Sequence, residues 1–89
     1  MKIKLELFGA SRDFSNKDHL EIEVQDKASI NDLRNEIIKH VDKNFSGNEN
    51  FIKVVKSSAF CSENNDIISD NYKITKDQKI GIIPPIGGG

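Results

Sequence analysis

Lys79-Ile80-Gly81-Ile82-Ile83-Pro84-Pro85-Ile86-Gly87-Gly88-Gly89 reads as a β-branched strand that runs directly into two prolines and a glycine run. Each proline fixes φ near −65° and lacks an N–H, so a sheet ladder cannot continue past Ile83 and the chain leaves in a stiff, polyproline-like direction. Glycine has no Cβ, so Gly87, Gly88 and Gly89 can extend fully and thread a channel too narrow for any side chain. A terminal glycine carboxylate is unhindered and can itself react. Terminal glycines are also an ordinary disordered end or a cloning scar, so the body of the chain has to discriminate.

Working back to the start, Lys2 to Phe8 alternates strictly, with Ile3, Leu5 and Leu7 on one face and Lys2, Lys4 and Glu6 on the other. This is the period-two mark of a half-buried strand. Gly9 to Asp18 is a polar turn region, after which Leu20, Ile22 and Val24 alternate with Glu21 and Glu23. The short connection predicts an antiparallel hairpin. Ser29 is a good helix N-cap with Asp32 three residues on, and Ile30, Leu33, Ile37, Ile38 and Val41 follow at helical spacing. Asn31, Arg34, Asn35 and Lys39 are expected on the solvated side of that helix.

Asp42 to Asn50 is an Asn/Ser/Gly-rich loop in which little can be read. Phe51-Ile52-Lys53-Val54-Val55 fits either a strand or a short helical turn, and Ser58 to Ser62 reads as a strand. Asn64-Asn65-Asp66 tolerates positive φ and suits a tight turn before a short return strand at Ile67-Ile68. The order is therefore hairpin, helix, further strands. This predicts an α+β, β-grasp (ubiquitin-like) mixed sheet, with one main helix on one face and the first and last strands parallel at its centre. Residues 1–83 would form the domain, and 84–89 an extended, flexible reactive tail.

Composition removes several function classes. With 89 residues there is room for one modest core, and a net charge of −1 with interspersed signs gives no basic stripe for nucleic acid. No apolar run approaches the eighteen residues needed to span a bilayer, so neither a membrane nor a secretory route is expected and the reading is cytosolic. The one cysteine, Cys61, excludes an intrachain disulfide and a cysteine-rich zinc site. It fits a small buried hydrophobe better than a reactive thiol, because no His, Lys or Arg adjoins it. His19 and His40 lack ligand-like neighbours, so no metal is expected, and no G-x-S-x-G, phosphate-loop or HExxH pattern occurs.

From Thr75 through the polar turn, the hydrophobic strand, Pro84-Pro85, Ile86, Gly87 and Gly88-Gly89, the chain resembles the end of the small sulfur-carrier subunit of molybdopterin synthase (the MoaD/ThiS type). Leu7-Phe8-Gly9-Ala10-Ser11-Arg12-Asp13 is similar to that family's first strand and turn, and Glu63-Asn64 before Ile67-Ile68 lies where members often have Val-Asn. The likeness runs the whole chain in order and length; the specific part is the PPIGGG end.

The resemblance implies a carrier that is not an enzyme alone and holds no permanent cofactor. An E1-like adenylyltransferase/sulfurtransferase would consume ATP to convert the Gly89 carboxylate into an acyl-adenylate and then a thiocarboxylate. The tail would enter the large synthase subunit, in a heterotetramer of two large and two small subunits, and convert cyclic pyranopterin monophosphate to the dithiolene of molybdopterin. Gly89 would carry the sulfur, Gly88 and Gly87 would allow insertion, and Ile86, Pro85 and Pro84 would orient the tail. Phe8 and Ile82 are candidates for the large-subunit contact, with a core role as the alternative. Other readings are a carrier for thiazole synthesis or tRNA thiolation, a non-covalent ubiquitin-like interaction module, and a protein modifier.

Overall fold

The computed structural model describes residues 1–85. The strands are β1 (Lys2–Leu7), β2 (His19–Glu23), β3 (Ala59–Cys61), β4 (Ile67–Ile68) and β5 (Gln78–Ile83), and the helices are α1 (Ile30–Asn44) and α2 (Glu49–Ser57). They form one five-stranded sheet in the order β2-β1-β5-β3-β4. β1 pairs antiparallel with β2, Leu5 opposite Leu20, and parallel with β5, Leu5 opposite Ile80. The expected parallel pairing of first and last strands at the sheet centre is therefore present.

The alternation read in β1 sets the layering. Ile3, Leu5, Leu7, Ile22, Phe60, Ile80 and Ile82 point to one face and join Ile30, Leu33, Ile37 and Val41 of α1 in a single buried cluster. The helices thus cover one face and leave the other bare. α1 begins as its sequence dictates: Ser29 Oγ accepts from Asp32 N at 3.1 Å, and Asp32 Oδ2 accepts from Ser29 N at 2.9 Å. This reciprocal box satisfies two donors at the helix start.

One open reading is decided by the structure, and one segment differs from expectation. The segment from Glu49 to Ser57 is a helix, capped by Asn48 Oδ1, which accepts from Asn50 N and Phe51 N at 3.0 and 3.2 Å. Its apolar residues satisfy strand and helix patterns alike, and the side-chain cap together with tertiary packing selects the helix. Phe51 packs between Phe14, tilted to it, and Phe45, edge-on to it, with ring centroids 5.2 and 5.1 Å away. The other is Gly9–Phe14, expected as a turn region, which contains a 3-10 helix held by Ser11, whose hydroxyl donates to Phe8 O and accepts from Phe8 N.

Arg34 is not on the solvated face. It lies four residues after Ile30 and four before Ile38, on the flank of the buried stripe, and its side chain is only 12% exposed. One guanidinium nitrogen donates to the carbonyls of Val55, Lys56 and Ser58 at 2.8, 3.1 and 2.8 Å, and the other reaches Asp70 at 2.7 Å. The group also sits 4.9 Å from the centre of the Phe60 ring. The end of α2 exposes carbonyls with no helical partner, and a cation there meets both the hydrogen-bonding and the dipole requirement.

Candidate functional site: the bare sheet face and the tail root

Strand parity distributes the bare face. From β1 it receives Lys2, Lys4, Glu6 and, by continuing the alternation, Phe8; from β5, Lys79, Gly81 and Ile83; from β3, Ala59 and Cys61; from β4, Ile67. The half beside β2 is charged, with Lys4 opposite Glu21 and Lys79 Nζ 3.7 Å from Glu6 Oε2. The half beside β3 and β4 is apolar. Ile67 and Phe8 stand out at 67% and 37% exposure, flanked by exposed Ala59 and half-buried Ile83, with Cys61 buried beneath them.

The tail leaves from the apolar end. β5 terminates at Ile83, Pro84 is buried and Pro85 is exposed. Pro84 lies against Gly9: a Cβ built on Gly9 would be 3.8 Å from Pro84 Cγ, and the φ of +53° at Gly9 is one that glycine adopts without steric cost. Packing on Gly9 places the first proline at this end of the sheet. Ile86, Gly87, Gly88 and Gly89 lie outside the described residues.

Of the two contact candidates, Phe8 is on the exposed face and Ile82 is not. Ile82 is fully buried, opposite Leu7 on one side and Phe60 on the other. That reading is corrected to a core residue. The reason is strand parity, since Ile80 and Ile82 share the helix-covered face while Gly81 and Ile83 share the bare one. Ile83, Ala59 and Ile67 are the patch members that sequence reasoning missed. A signal for Ile83 existed in the alternation of β5, where it shares parity with Lys79 and Gly81 and not with Ile80 and Ile82.

Groups suited to independent chemistry are sparse among the described residues. No cluster of three or more His, Cys, Asp or Glu side chains is placed to hold a metal ion. Cys61 is buried on β3, as expected of a small hydrophobe. His19 Nδ1 is 3.1 Å from Asp18 Oδ1, a contact that holds the Asp18 carboxyl below its ordinary value. A polar groove of about 730 Å³ lies at the far end of the sheet from the tail root, lined by Glu23, Asp26, Lys27, Asp32, Asn35 and Glu36 among others. No helix of the described residues is long and apolar enough to cross a membrane.

Comparisons with known proteins agree with this architecture. A molybdopterin converting factor subunit 1 from Pyrococcus furiosus, an assignment that is itself provisional, superposes with a TM-score of 0.69 at 24% identity, over 96% of this chain and 98% of that one. SAMP1 from Haloferax volcanii gives 0.68 at 12% identity over the whole of both chains. The ubiquitin of Caldiarchaeum subterraneum gives 0.62 at 17% identity, over 100% of this chain and 98% of that one. These likenesses establish the ubiquitin-like β-grasp fold. No curated protein matches the chain. The model of the ThiS family matches residues 5–89, nearly the entire sequence, and the chain belongs to this family of small ubiquitin-like sulfur carriers.

Proposed function

We propose that this chain is the sulfur-carrier small subunit of molybdopterin synthase, with Gly89 as the loaded residue. The observation that carries the reading is the placement of the root: the central strand β5 delivers buried Pro84 and exposed Pro85 beside the apolar half of the bare face. The body supplies a firm platform and the glycines supply reach.

Activation is required because a carboxylate is a poor electrophile. Attack of the Gly89 carboxylate on the α-phosphorus of ATP expels pyrophosphate and gives an acyl-adenylate, a mixed anhydride. A persulfide sulfur then attacks the carbonyl carbon and AMP leaves. Cleavage of the resulting acyl disulfide by a second thiol, which becomes part of a disulfide, releases the thiocarboxylate. The reagents and catalytic groups belong to the E1-like partner, and ATP is its substrate. The thiocarboxylate is then a tethered nucleophile for a pterin substrate held in the large subunit, in an assembly of two large and two small chains. Phe8, Ile83, Ala59 and Ile67 form the surface offered to these partners, because apolar side chains gathered on one face, with Phe8 and Ile67 left exposed, mark a protein contact.

The test is intact mass of the protein produced in cells with its activating enzyme, together with a variant lacking Gly89. A fraction heavier by one oxygen-to-sulfur exchange, absent from the truncated variant, and loss of cofactor synthesis on truncation support the reading. A large subunit co-purifying at equal stoichiometry assigns the pathway. If the heavier species never forms and truncation leaves cofactor synthesis intact, the reading is wrong; isopeptide conjugates to lysine would instead make the chain a protein modifier.

A further inference from the structure

Gly81 lies in the middle of β5 on the bare face, opposite Glu6 on one side and Cys61 on the other. Its φ does not demand glycine. The space above it does: a Cβ built there would stand 2.7 Å from Cys61 Sγ and 2.8 Å from Phe8 Cε2, with Phe8 Cδ2 at 3.6 Å. Carbon atoms in ordinary contact are about 3.5–4.0 Å apart. One edge of the Phe8 ring therefore rests on the bare backbone of Gly81, while the ring remains 37% exposed.

We propose that Gly81 is a positioning residue that seats Phe8 as a pre-set aromatic anchor for the enzyme that adenylates the tail. The inference rests on the sulfur-carrier reading. The occupant follows from reach: four residues beyond Pro85 extend at most roughly 14 Å. An enzyme acting on the Gly89 carboxylate must therefore cover the ground around Pro85, and Phe8 adjoins Gly9, which packs on Pro84. An aromatic ring already held in place loses less rotamer freedom on binding than a free one. A methyl group at position 81 evicts either the ring or the Cys61 sulfur. Phe8 yields first, because it is half in solvent while Cys61 is enclosed.

The experiment is a double-mutant cycle on the full chain, with Gly81→Ala, Phe8→Ala and both together, read as KM and kcat for carrier-dependent ATP–pyrophosphate exchange by the co-expressed activating enzyme. Phe8→Ala and Gly81→Ala should each raise KM about tenfold with kcat unchanged, and the double variant should be no worse than Phe8→Ala alone. Reaction of Cys61 with a thiol reagent should speed up in both single variants, as its cover is lost. Where Gly81→Ala folds poorly, the Cys61→Ala/Gly81→Ala pair removes the closest clash and keeps the Phe8 displacement measurable.

An unchanged KM in Gly81→Ala overturns the proposal, as do multiplicative effects in the cycle, which would mean that Gly81 acts independently of Phe8. A Phe8→Ala variant loaded as readily as wild type also overturns it. If in that case truncation of Gly89 still abolishes the thiocarboxylate, the sulfur-carrier reading stands without this anchor.

Discussion

Replacing Arg34 with alanine removes a junction that ties α1 to the end of α2, to β3 and to the loop after β4. The bonds to Val55 and Ser58 carbonyls, both 2.8 Å and part-buried, carry most of the effect. Hydrogen bonds to a charged group contribute about 1.5–3 kcal/mol each. The bond to the Lys56 carbonyl is exposed and water can replace it. The pair with Asp70, whose side chain is 58% exposed, adds at most about 1 kcal/mol. The Phe60 contact adds roughly 0.5–1 kcal/mol. Water entering the vacated site recovers part of the total, leaving an expected loss of about 3 kcal/mol.

For a chain of this length each kilocalorie is worth roughly 4–8 °C, so the midpoint of thermal unfolding should fall by about 12–24 °C. Urea titration should give a lower midpoint with an unchanged slope, because the surface exposed on unfolding is nearly the same. Asp70→Asn should cost less than a third as much, and Arg34→Lys should fall between, since an ammonium cannot reproduce the fork. A loss below about 1 kcal/mol in Arg34→Ala would rule out the buried carbonyl bonds as the source of stability, and an equal loss in Asp70→Asn would make the ion pair the source.

Asp32 accepts from the Ser29 backbone and its carboxyl is held below the ordinary 3.8, with the Ser29 backbone hydrogen bond the largest cause and the Ser29 side chain next. A depressed folded-state value means that the stabilisation is present above 3.8 and is lost as pH falls through the folded value. Urea midpoints measured from pH 7 down to pH 3 should therefore decline less at the acid end in Asp32→Asn than in wild type; parallel curves would argue against the assignment. Ile82→Ala should cost about 2–5 kcal/mol through the cavity it leaves, as for other fully buried aliphatics, while Phe8→Ala should cost far less. Chemical denaturation of the two variants separates a core residue from a surface one, and a cheap Ile82→Ala would restore its candidacy as a partner contact.

What the sequence determined alone is what depends on near neighbours. The alternation in Lys2 to Phe8, the Ser29–Asp32 box and the Ile30, Leu33, Ile37, Val41 stripe are local patterns, and each became the expected element. Asn65, in the segment chosen for tolerance of positive φ, adopts φ 67°. The prolines after Ile83 end the last strand where their chemistry requires. Even the membership of Phe8 in a bare face follows from period two.

Other features were set by partners distant in sequence, which no local pattern specifies. Phe51 to Val55 satisfies strand and helix patterns equally, and packing on Phe14 and Phe45 accompanies the helical choice. Arg34 reads as a surface residue until carbonyls 21 to 24 residues away close on it. Ile80, Ile82 and Ile83 are chemically alike, and the placement of β5 between β1 and β3 sends two to the core and one to the bare face. The same register sets Gly81 beneath Phe8 and Cys61, a contact among three strands that no local pattern encodes.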